Sequence, residues 1–131
     1  MGSGAVSLFA CSDSSGPGDR NPVGAWSLVS INDDPLPYTL IEVAPNYRFE
    51  ILSNRFTLAS KGSFTETAMY RETDGSDVTT TTETNSGTWA QSGDQVVLTY
   101  NDGDQTVASG TIDGDTIIAT DGQFTFVYRR Q

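Results

Sequence analysis

Val23-Gly24-Ala25-Trp26-Ser27-Leu28-Val29-Ser30 is the stretch that decides the fold. A Gly-x-Trp opens it, and the following side chains alternate between two faces with period two, as a half-buried strand requires. Seven more strand-like runs follow, ending in Phe126-Val127-Tyr128-Arg129-Arg130. From Trp26 onward no segment carries a 3.6-residue apolar period, whereas Thr, Val, Ile, Tyr and Phe recur in alternation. The domain is therefore expected to be all-β.

Turn signals separate the runs: Lys61-Gly62, Asp74-Gly75, Ser92-Gly93, Asp102-Gly103, Asp113-Gly114 and Asp121-Gly122. Their glycines lie 13, 18, 10, 11 and 8 residues apart, so each intervening run has strand length and meets its neighbour in a short hairpin. The predicted strands are Gly24–Asn32, Tyr47–Ser60, Ser63–Thr73, Asp77–Gln91, Gln95–Asn101, Gln105–Ile112, Asp115–Thr120 and Gln123–Arg130. Eight strands in an antiparallel meander close into a small up-and-down barrel, which either fills with side chains or holds one small ligand.

Two of these strands are too long to run straight. Apolar parity changes between Tyr47, Phe49 and Ile51 on one side and Phe56 and Leu58 on the other, which predicts a bulge within Ile51-Leu52-Ser53-Asn54. A similar change between Val78 and Trp89 predicts one at Asn85-Ser86-Gly87. The long connection Asp33 to Asn46 contains Pro35, Pro37 and Pro45, which argue against regular pairing and make it a candidate lid over one barrel end.

Composition narrows the functional classes. Seven Lys and Arg against 17 Asp and Glu leave a net charge of −10, which disfavours nucleic acid and anionic lipid as partners. There is no His, so a Ser-His or Cys-His nucleophile pair and an imidazole metal site are excluded. A single cysteine, Cys11, excludes an intrachain disulfide. The 131 residues have room for one core and one domain.

Leu8-Phe9-Ala10-Cys11 follows a short apolar run and precedes the polar stretch Ser12-Asp13-Ser14-Ser15-Gly16-Pro17-Gly18-Asp19. It resembles the lipobox of bacterial lipoproteins, which implies a lipid on Cys11. On that reading residues 1–10 are a residual or truncated signal segment, because Met1-Gly2-Ser3-Gly4 carries no basic residue and the apolar run is short. Residues 11–22 are then a flexible tether and residues 23–131 the barrel. The implied location is the cell envelope, lipid-anchored at a membrane surface or secreted. No other stretch approaches the roughly 20 apolar residues of a membrane-spanning helix.

Gly24-x-Trp26, Leu36-Pro37 after a polar turn, Ser86-Gly87-Thr88-Trp89 leading to Gly93, and the terminal aromatic strand closed by Arg129-Arg130 together resemble the lipocalin-like domains of bacterial lipoproteins, a calycin-type group. The resemblance spans about Gly24 to Arg130. It implies that Trp26 plugs one barrel end, with Arg129 or Arg130 packed across it, and that the barrel binds a small molecule.

A side chain that reads a ligand inside a barrel must lie on the inward face. Phe64, Tyr70, Trp89, Tyr100, Phe124 and Phe126 occur on strands whose alternation gathers most of them on one face, where they either fill the core or line a site. Glu66 and Glu72 share the parity of Phe64, Ala68 and Tyr70. An inward Glu66 would read a polar group of a ligand, while Glu72 adjoins the turn. Thr79-Thr80-Thr81-Thr82, Ser109 and Gly110 are small or polar positions that would leave space. The Asp-Gly loops read as hairpin turns, and none has the spacing of a calcium loop.

The expectation is a cell-envelope lipoprotein whose barrel binds a small apolar or amphipathic molecule, without cofactor, metal or enzymatic activity. Its membrane contact would run through Cys11 alone, and nucleic acid is not expected. The alternative is a solid-core structural or protein-interaction domain of the envelope, acting for instance as an inhibitor through Asp33–Asn46.

Overall fold

The structure is a computed structural model and describes residues 21–131. Ten strands follow one another: β1 (Gly24–Ile31), β2 (Asp34–Pro35), β3 (Tyr38–Val43), β4 (Tyr47–Leu58), β5 (Ser63–Asp74), β6 (Asp77–Ser92), β7 (Gln95–Tyr100), β8 (Val107–Asp113), β9 (Thr116–Asp121) and β10 (Phe124–Arg130). Eight of them form a closed antiparallel barrel, because β1 pairs with β10 on one side and with β4 on the other, while β4 through β10 pair in chain order. Left-handed glycines at 75, 93, 114 and 122 make the tight hairpins, as the Asp-Gly and Ser-Gly signals require.

Strand β4 is divided between two partners. Its half Arg55–Leu58 pairs with β1, and its half Tyr47–Ile51 pairs with β3. The change of partner falls at a break in register between Ile51 and Ser53, where the parity change predicted a bulge. That extra residue turns Asn54, Phe56 and Leu58 onto the inward face already occupied by Ile51.

Two expectations need correction. Asp33–Asn46 is no irregular lid, since β3 forms a ladder with β4 from Tyr38↔Ile51 to Val43↔Tyr47, and Pro35 pairs with Ser30 in β2. The prolines do not oppose this because Pro37 and Pro45 flank β3 and leave its interior N–H groups free to pair. Nor is there a bulge at Asn85-Ser86-Gly87, because β6 follows β5 without a register break from Ser63↔Thr88 to Asp74↔Asp77. Val78 faces solvent at 61% exposure, so its parity carries no core information. Gly87 is needed for close approach: a Cβ there would lie 2.0 Å from the Thr99 carbonyl oxygen and 2.7 Å from Phe64 Cε1.

The base of the barrel, where β1 begins and β10 ends, is solid. Trp26, Phe56, Leu58, Phe64, Val96 and Leu98, with Ile112 and Ile117, form one buried cluster there. A second cluster, Leu28, Ile31 and Ile51, lies toward the other end with Leu36, Tyr38, Leu40 and Phe126 against it. Beyond β7, the stretch of β6 from Asp77 to Asn85 has its ladder with β5 alone, and Asp77 to Ser86 is exposed throughout. The threonine run belongs to this edge rather than to the barrel interior.

Candidate ligand cavity

The closed base is built around Trp26, which is completely buried and donates its indole N–H to the Pro22 carbonyl at 2.9 Å. Arg130 lies over the ring at 4.4 Å and donates to the carbonyls of Val23 at 3.0 Å and Asn21 at 2.7 Å. Of the two terminal arginines it is Arg130 that covers Trp26. Arg129 alternates to the outer, exposed face opposite Ser27 and Thr116. Pro22 is also fully buried, so Asn21 and Pro22, expected in the tether, are held by the barrel.

Above this base the inward positions become small. Ala108, Gly110 and Ala119 face the interior on β8 and β9, and at Gly110 a Cβ would come within 2.9 Å of the Ile117 side chain. Large residues cannot occupy these neighbours together, and the room left is a cavity. Its deep part, of about 60 Å³, is walled by apolar groups of Phe56, Val96, Leu98 and Ile117. A wider chamber of about 490 Å³ lies above, with Leu28, Leu40, Ile51 and Phe126 in its wall. Glu66, Tyr100, Ala108, Ala119 and Tyr128 border both, so the two spaces adjoin.

One carboxylate stands in the middle of this wall. Glu66 Oε2 accepts from Asn54 Nδ2 at 3.0 Å, and Oε1 accepts from Asn85 Nδ2 at 3.4 Å. Tyr100, Tyr128 and Tyr70 stand around it. Burial, reinforced by the charge of Glu66, pushes the phenol pKa of Tyr100 and Tyr128 well above the ordinary tyrosine range. Tyr70 moves the same way, through burial and the charges of Glu83 and Glu66. The three phenols are thereby held neutral as hydrogen-bonding groups. Asn54 is only 8% exposed, and its Oδ1 is buried without a hydrogen-bond partner.

Among the residues expected to read a ligand, Glu66, Tyr70, Tyr100 and Phe126 border the cavity. Phe64 lies beneath it, 2% exposed and edge-on to Tyr100 at 5.1 Å. Trp89 packs against the basal cluster and donates its indole N–H to the Ala59 carbonyl at 2.8 Å; it is absent from both cavity walls, which makes it a core residue by position. Phe124 sits edge-on to Tyr38 at 6.3 Å, next to Phe126. Glu72 is exposed, lines neither space and accepts the Tyr47 hydroxyl at 2.7 Å. Cys11 lies outside the described residues, as do the signal segment and most of the tether.

Sequence reading missed Asn54 and Tyr128. Both carried a signal: Asn54 has the parity of Phe56 and Leu58 after the bulge, and Tyr128 continues the alternation of Phe124 and Phe126.

The barrel, its tryptophan-plugged base and its interior chamber define a calycin-type fold. The family model of the lipocalin-like domain matches residues 23–126, and the chain belongs to that family. No curated protein matches the chain.

Proposed function

We propose that this protein binds one small amphipathic molecule inside its barrel and performs no catalysis on it. The observation that carries this reading is the chamber of about 490 Å³, whose wall combines the apolar Leu28, Leu40, Ile51 and Phe126 with polar groups such as Glu66, Asn54 and Asp121. Apolar walls with a few placed polar groups are the usual composition of a small-molecule site. The lipobox-like Leu8-Phe9-Ala10-Cys11 supports a lipid tether on Cys11 and hence a place in the cell envelope.

The direct test is titration of the full chain with N-phenyl-1-naphthylamine, a neutral probe that fluoresces in apolar surroundings. Saturable one-to-one enhancement is expected, and its absence would reject the reading. The open edge of β6, exposed from Asp77 to Ser86, favours the second reading of a protein-interaction domain. That reading takes over if the probe does not bind.

A further inference from the structure

We infer that β6 pairs edge to edge with β6 of a second copy of this chain, antiparallel and about a twofold axis at Thr81. This is independent of the small-molecule reading, because no residue from Asp77 to Asn85 borders the deep pocket or the chamber.

Two strands, β3 and β6, each keep a free edge, and the two edges differ. Strand β3 is short, breaks register between Thr39 and Ile41 and is flanked by Pro37 and Pro45. Shortness, bulges and prolines are the devices that keep an edge from pairing. From Asp77 to Asn85, β6 has no proline, no lysine and no register break, and Thr dominates it, a residue that favours strands. An edge left in that state is a template for another strand.

The direction of its main-chain groups follows from its neighbours. The Ser86 carbonyl accepts from the Asn101 N–H on the β7 side, and the Trp89 N–H donates to the Gly62 carbonyl on the β5 side. In an unbroken antiparallel ladder this direction alternates along the strand. Val78, Thr80, Thr82 and Thr84 therefore turn both main-chain groups to the free edge, while Thr79, Thr81 and Glu83 spend theirs on β5.

That edge is complementary to itself. A twofold axis at Thr81 sets Asp77 opposite Asn85, Val78 opposite Thr84, Thr79 opposite Glu83 and Thr80 opposite Thr82. Outward-pointing residues then meet outward-pointing ones, each such pair exchanging two main-chain hydrogen bonds. Each carboxylate faces an uncharged side chain that can donate to it, the Asn85 amide or the Thr79 hydroxyl. Neighbouring registers are worse. Moving the axis to Thr80 opposes Asp77 to Glu83, a like-charge pair. Moving it to Thr82 sets Val78 against Ser86, whose carbonyl is already taken by Asn101. The pairing is isologous and uses the same edge of both copies, so it closes at two chains.

The experiment is sedimentation of the full chain across a dilution series from millimolar to micromolar, with reductant to keep Cys11 free. The buffer holds 0.15 M salt, which screens the repulsion between chains of net charge −10 beyond about 8 Å. The mass of two chains is expected at the concentrated end, falling to that of one on dilution. Thr82→Pro removes an edge donor from each copy without touching a β5–β6 bond, and should give the mass of one chain throughout. In a Cys11→Ala background, Thr81→Cys brings the two sulfurs together across the axis, where opposed Cα atoms lie about 4.5 Å apart. It should form a disulfide-linked dimer on mild oxidation. Thr79→Cys should not, because its two copies stand about 14 Å apart along the strands.

An unaltered chain that stays single at millimolar concentration overturns the inference and leaves the edge to a different partner. Masses that grow beyond two chains overturn it as well, as does a dimer that a folded Thr82→Pro protein keeps. Equal cross-linking at Thr79 and Thr81 overturns the register, and the two cysteine variants decide it even where Thr82→Pro does not fold.

Discussion

The guanidinium of Arg130 rests 4.4 Å from the centre of the Trp26 ring while reaching the carbonyls of Asn21 and Val23. The last strand thus fastens the residue that the first strand buries. Phe56 stacks on the same ring at 6.5 Å from the β4 side, and Trp26 stands opposite both Arg130 and Phe56 in register. The contacts that close the barrel are thus also those that bury its plug.

Trp26→Ala should lower unfolding free energy by about 3–5 kcal/mol, the scale of a large aromatic truncation in a packed core. Arg130→Ala should cost less, about 1–2 kcal/mol, through the lost ring contact and backbone hydrogen bonds. Urea unfolding followed by circular dichroism measures both. A loss below about 1 kcal/mol for Trp26→Ala would contradict the plug.

Ala108→Leu should fill the junction of the deep pocket and the chamber. Because the new side chain enters space that is open, stability should change by less than about 1.5 kcal/mol. Affinity for N-phenyl-1-naphthylamine should fall at least tenfold. Unchanged probe affinity in a folded variant would place the ligand somewhere other than this cavity.

Gly87→Ala should destabilise strongly, since the added methyl collides with the Thr99 backbone as well as with Phe64. Overpacking of this kind costs about 1–3 kcal/mol or more. The companion change Gly75→Asn, at an exposed hairpin where nothing lies within 4 Å of an added Cβ, should be mild despite its positive φ of 65°. Thermal melts of the two variants separate the effects. Similar small losses would mean that β6 and β7 do not approach closely at Gly87.

Glu50 is 7% exposed and bonded to Arg71 at 3.0 Å; this hydrogen bond holds its carboxyl pKa below the ordinary value. In the unfolded chain the pKa returns to about 4.3. The stabilisation is therefore complete above that value and is lost as pH falls through it toward the lower folded one. The stability gap between the unaltered protein and Glu50→Gln should shrink as pH drops from about 6 to about 3. Chemical denaturation at a series of pH values tests this, and a constant gap would remove the ion pair as its source.

Much of the fold was written in local patterns. Alternation around Trp26, glycine-marked hairpins and the parity change at Ile51–Asn54 are short-range signals, and the backbone follows each of them. The strand Tyr38–Val43 was hidden because Pro35, Pro37 and Pro45 crowd its flanks, and its partner, half of β4, is chosen by tertiary closure. The cavity was only partly legible. Parity placed Glu66, Tyr70, Tyr100 and Phe126 on the inner face, but it cannot say how high along the barrel a residue sits. Trp89 shares that face and ends in the solid base, beside Ala59. Asn54 shares the inward parity of Phe56 and Leu58, but the unmet hydrogen bond of its Oδ1 is a property of the fold that no sequence pattern displays.

The division of β4 between two partners makes the two ends of the barrel unequal. At the base, hydrogen bonds run through all eight strands in an unbroken hoop. At the mouth the hoop is split: β2 follows β1, β3 follows β4, and no ladder joins β2 to β3. The girth of the opening is thus not fixed by the strand number. A molecule entering from this side, as the proposed function requires, would therefore meet a rim with no ladder between β2 and β3 before it meets the closed hoop below.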